Sequence, residues 1–233
     1  MSAPFGAGSD TSNSTSDVRN YSFTVPAGVT ASTNIHVLVT SEDTDGELPS
    51  DVEVYLQSGG AGSGSNLTYI DGQVLEDGTD NMMAYYALDD CPCVAGDDVT
   101  VTANWTNDQN RRGIGVFFTN GYAPESVLPA AITKNSSGSG DCTVDVASAV
   151  ASDLIIALYN TGADYDTVVA NNCTELINDA SSSMSMFVGY VDPGAATNDL
   201  PATGAGSRST AMAILLAAAG GTPPTLGMRM FAA

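Results

Sequence analysis

The chain has 233 residues, 43% of them hydrophobic, which is enough to bury a core and excludes global disorder. Its formal net charge is −21, from 27 acidic residues against 6 basic ones, which argues against nucleic acid and anionic membranes as partners. Only 14% of residues are charged, and the polar remainder is Ser, Thr, Asn and Gly, a composition that favours strands and turns over helices.

Residues 1–18 are rich in Gly, Ser, Thr and Asn without periodicity. They read as an N-terminal arm, expected to lie across a neighbouring subunit. With neither a basic n-region nor an apolar h-region, no signal peptide is expected, and synthesis is placed in the cytoplasm. Arg19–Val25 alternates, with Tyr21, Phe23 and Val25 on one face, the pattern of a half-buried strand. Asn34–Thr40 is more apolar and therefore more central. Asp51–Gln57 alternates again through Val52, Val54 and Leu56. A hairpin turning at Asp71-Gly72 is expected between strands at 66–70 and 73–76. Further strands are predicted at 82–88, 98–105, 113–118, 141–148, 153–159, 173–177, 184–191 and 208–217. A short helical turn fits Val168–Asn178. The run Ala211–Ala219 is too short to span a bilayer, so no membrane partner is expected. Residues 222–233 form a C-terminal tail ending in Met228, Met230 and Phe231, an apolar anchor expected to pack on the same domain or on a symmetry mate.

The two halves, approximately 19–132 and 141–221, echo each other. SFTVPAG followed by NIHVLVT parallels CTVDVAS followed by DLIIALY. MMAYYAL parallels MSMFVGYV, and GIGVFF parallels AMAILL. The fold class that follows is all-β. It is an antiparallel, jelly-roll-like β-sandwich spanning 19–221, with both halves supplying strands to two facing sheets. Two separate small sandwiches, divided at the Gly/Ser-rich linker 133–140, are the alternative.

Candidate chemistry is sparse. His36 is the only histidine, and inside a central strand it reads as a packed residue rather than a catalytic base. The loop Ser41–Glu47 offers Asp43, Asp45 and Glu47 as candidate calcium ligands, because hard cations take several carboxylate oxygens from a flexible loop. The competing reading is solvated turn acids. No other cofactor is expected. The loop Gly59–Gly64 lacks a following lysine and reads as a flexible exposed tip. Arg111-Arg112 would steer a carboxylate partner, join an intersubunit ion pair or simply lie on the surface. Trp105, Tyr69, Tyr85 and Tyr86 are either a sugar-stacking platform or core aromatics. Cys91, Cys93, Cys142 and Cys173 read as free thiols, with a Cys142–Cys173 bridge as the alternative. Catalytic residues are not expected.

The succession FTVPAG, an apolar strand entering a Ser-Glu-Asp loop, YIDGQ, AYYAL, DVTVTANW and GIGVFF resembles a family of phage-associated β-sandwich proteins over roughly residues 19–218. The chain has Ile70-Asp71-Gly72-Gln73 where that family carries a Gly-Gly hairpin. The resemblance implies a virion structural protein of a tailed virus, made in the host cytoplasm. The expected role is a decoration or cement protein on the capsid surface. The major capsid protein or other virion subunits are then its expected partners, and a homo-oligomer such as a trimer its expected state. A tail- or fibre-borne module binding host glycans is the alternative role.

Overall fold

The computed structural model describes residues 3–12, 15–43, 47–75, 80–122, 131–137, 142–145, 154–162, 169–170, 173–181, 184–191, 199–203 and 208–217. Among these residues there is no helix, and every strand pairing is antiparallel. In the first half the strands are β1 (Phe5–Ser12), β2 (Ser16–Thr24), β3 (Asn34–Asp43), β4 (Asp51–Leu56), β5 (Ser65–Asn66), β6 (Thr68–Leu75), β7 (Asp80–Leu88), β8 (Asp98–Gln109) and β9 (Arg111–Thr119). The second half has β10 (Ala131–Ser137), β11 (Cys142–Asp145), β12 (Leu154–Gly162), β13 (Val169–Ala170), β14 (Thr174–Ser181), β15 (Met184–Val191), β16 (Asp199–Thr203) and β17 (Arg208–Leu216).

Each sheet draws its strands from one half only. The first half builds a five-stranded sheet, β1-β9-β3-β7-β6, and a four-stranded sheet, β2-β8-β4-β5. The second builds β10-β17-β12-β15-β14 and β11-β16-β13. The two orders are the same: β10 stands for β1, β11 for β2, and so on to β17 for β9, with β5 alone lacking a counterpart among the described residues. This differs from the expectation that both halves feed two shared sheets. Each half has enough strands for its own pair, because β1 and β10 add edges where an arm and a linker were expected.

Three apolar clusters stack through the molecule. The first lies between the four- and five-stranded sheets of the first half and holds Val37, Val39, Val54, Val101 and Phe118. The third lies within the second half, with Val144, Ala157, Tyr159 and Ala213. Between them the two five-stranded sheets face each other, burying Leu38, Tyr85, Phe117, Leu158, Val188 and Ile214. Central strands of these sheets are therefore covered on both faces, which is why β3, β15 and β17 read as nearly continuous apolar runs. Gly113 and Gly115 of β9 leave room for the opposing methionines. A Cβ on either would lie 3.2 Å from Met184 Cε or Met186 Sδ.

Several local expectations are corrected. Phe5–Ser12 is an edge strand hydrogen-bonded to β9 of the same chain, where an arm without periodicity was expected. Its Gly-rich sequence hides it, since Phe5 and Ala7 are its main apolar contacts with the core. Gly8 sits at its bulge with φ 112°, and the Tyr21 hydroxyl approaches there while donating to the Ala7 carbonyl at 2.9 Å. The chain does not turn at Asp71-Gly72. Instead β6 runs through with a bulge between Tyr69 and Asp71. Residues 133–137 of the expected linker belong to β10, which pairs with β17. The proposed helical turn is replaced by β13 and β14. Cys91 and Cys93 are joined in a disulfide, while Cys142 and Cys173 are free. Burial pushes both free thiols up to about 11, so they stay protonated and unreactive near neutrality. The 222–233 tail lies outside the described residues.

Candidate functional site

The residues expected to carry charge-based chemistry are largely engaged inside the protein. Arg111 pairs with Glu42 across neighbouring strands β9 and β3. Arg208 of β17 reaches the same carboxylate from the other half. Glu42, at the head of the acidic loop, is only 1% exposed. Next to it on β7, Asn81 accepts a hydrogen bond from Asn160 Nδ2 of β12, which also donates to the Met82 carbonyl at 3.0 Å. Arg112 is buried and donates to the Val18 carbonyl. Arg112 is therefore internal, while Arg111, whose side chain is 30% exposed, is committed to Glu42.

Of the candidate calcium ligands, Asp43 accepts from Asn110 Nδ2 at 2.8 Å. Glu47 accepts from both the backbone and side-chain nitrogens of Asn107 at 3.1 Å. Asp45 lies outside the described residues. No group of three or more acidic, His or Cys residues converges on a metal position among the described residues. His36 is fully buried between the two five-stranded sheets. Its Nδ1 is 2.6 Å from the Tyr85 hydroxyl and its Nε2 is 2.7 Å from Thr119 Oγ1. Its ring stacks on Phe117 at 4.7 Å. Burial lowers its pKa to about 3, against an opposing pull from Asp89, so the ring is neutral.

The Gly-rich tip after β4 is exposed yet anchored. Glu53 turns both carboxylate oxygens onto it, accepting from Gly62 N at 3.0 Å and Gly64 N at 2.7 Å. Charge-assisted bonds to backbone amides are the stronger kind. Glu53→Ala is expected to cost about 1–2 kcal/mol in urea unfolding, with faster amide exchange at Gly62 and Gly64. Unchanged exchange at those two amides would show that the carboxylate does not hold the loop.

The four aromatics separate by environment. Tyr85 and Trp105 are core residues, and Trp105 Nε1 donates to the Glu47 carbonyl at 3.1 Å. Tyr86 is buried, and its hydroxyl donates to the Pro49 carbonyl at 3.0 Å. Tyr69 is 45% exposed. Its ring meets Tyr86 edge-on, with centroids 5.5 Å apart at 67°. A cleft of about 380 Å³ opens beside it, floored by Leu48, Pro49 and Leu67 and rimmed by Ser50, Asp51 and Asn66. Asp51 is held in place by Asn104 Nδ2 at 2.9 Å. The burial pattern separates this ring from the other three. Sequence reasoning named the aromatics but missed the rim, because the start of β4 and the end of β5 meet only through the fold.

Comparison with family models, curated proteins and solved structures returned no match.

Proposed function

We propose that this chain is a structural protein of a tailed-virus particle, a decoration or cement subunit on the capsid, and that each half is a jelly-roll sandwich. The observation that carries the reading is the repeated strand order. In the first half β1-β9-β3-β7 forms one sheet and β2-β8-β4-β5 the other, the four-and-four division of an eight-stranded jelly roll with β6 as an added edge. Among the described residues the second half repeats it strand for strand apart from β5. Two such units joined through a buried apolar seam make a stiff body suited to bracing a shell. The partners in this reading are the major capsid protein and further copies of the chain, as a trimer.

Its internal ion pairs and neutral histidine favour a mechanical over a catalytic role. In this reading a structural calcium ion would be held by Asp43, Asp45 and Glu47. Electron cryo-microscopy of the particle that carries the chain tests the reading. Density for it on the head surface is the expected result. Density confined to the tail tip, or none in the particle, would overturn it.

A further inference from the structure

We infer that the cleft beside Tyr69 is a binding site for neutral carbohydrate. Tyr69 is the one strongly exposed aromatic ring among the described residues, and the fold fixes it in that position. The bulge between Tyr69 and Asp71 re-aims β6 at this point. Gly72 then leaves space for the ring's tip, since a Cβ there would lie 3.0 Å from the Tyr69 hydroxyl. Tyr86 braces the ring edge-on and is itself tied to Pro49. An exposed aromatic held this way costs little further entropy on binding.

The chemistry around the ring selects the ligand. A pyranose presents C–H groups on one face and hydroxyls around its edge. The face matches the Tyr69 ring, whose amphipathic character suits such a partner. The hydroxyls match Asp51, which accepts only, and Asn66, which both donates and accepts. Asp51 is held by Asn104 before any ligand arrives. The cleft volume falls in the lower part of the range for small-ligand sites, about 300–1,000 Å³. No cation lines it, and the chain carries −21 overall, so sialylated, sulfated or phosphorylated ligands are disfavoured.

The site does not depend on where the subunit sits in a particle. A particle map tests the structural reading, and a titration tests this one.

The test is nuclear magnetic resonance titration of the ¹⁵N-labelled full chain with lactose, maltose, cellobiose and N,N′-diacetylchitobiose, with 3′-sialyllactose and a proline-rich peptide as comparators. At least one neutral disaccharide is expected to shift the amides around Tyr69, Asp51 and Asn66, with a Kd of about 0.1–10 mM. Tyr69→Ala should weaken binding at least about tenfold, and Tyr69→Phe should retain it. Asp51→Ala should weaken it as well, with melting temperatures of all variants recorded to establish that they fold. The assignment is overturned if none of the four neutral disaccharides shifts these amides. It is also overturned if the sialylated sugar or the peptide binds more tightly than every neutral one, or if folded Tyr69→Ala binds as the parent does.

Discussion

The double variant Arg111→Ala/Arg208→Ala is expected to lose about 3–5 kcal/mol of stability. Glu42 is 1% exposed and is paired with both guanidinium groups, one from each half of the molecule. Removing both leaves a buried carboxylate with no cationic partner, and its lost hydration is then uncompensated. The single variant Arg208→Ala should cost less, because Arg111 still answers the charge. Replacing all three residues by apolar ones, Glu42→Leu, Arg111→Met and Arg208→Met, is expected to be near neutral or stabilising. Desolvating an ion cluster consumes most of what its attraction returns. Urea unfolding of the three variants checks the order. If the double variant and the apolar triple variant lose equal stability, the triad is contributing through packing and not through charge compensation.

Acid should loosen the protein through His36. The unfolded chain binds a proton at this residue near pH 6.5, and the folded chain only near 3, because the ring is buried. Between those values the unfolded state holds the extra proton, so stability is complete above about pH 6.5 and falls as pH falls toward 3. The loss from this residue is about 2 kcal/mol at pH 5, before most carboxylates titrate. His36→Gln keeps groups that can pair with Tyr85 and Thr119 and removes the titration. Its stability should be lower than the parent's at pH 7.5, yet nearly flat from pH 7.5 to 5. Parallel pH profiles for parent and variant would show that His36 does not control this window. The ring sits in the seam between the two five-stranded sheets, so protonation should weaken the contact between the halves before either core.

The strand pattern was legible where burial is one-sided or complete. Arg19–Val25 alternates because β2 has one face on the first cluster, and Phe23 and Val25 are buried there. NIHVLVT and MSMFVGYV do not alternate because both faces of β3 and β15 are covered. The likeness of the halves was also legible, since equivalent strands occupy equivalent layers and need similar residues. The edge strands β1 and β10 were not. Phe5–Ser12 and Ala131–Ser137 are held by backbone pairing to β9 and β17, which asks little of side-chain type. Both segments therefore resemble loop sequence.

The candidate site divides along the same line. The sequence by itself determined an all-β chain, a packed position for His36 and a short roster of aromatics from which Tyr69 had to be chosen. Only the tertiary structure decided which of those aromatics is exposed, because exposure depends on what covers a residue from distant strands. It also decided that Glu42 leaves the acidic loop to meet arginines 69 and 166 residues away. It brought Asp51 and Asn66 to the rim beside Tyr69. Periodicity reports which face of a strand a residue occupies, while the identity of the opposing layer is set by long-range packing that no local window contains.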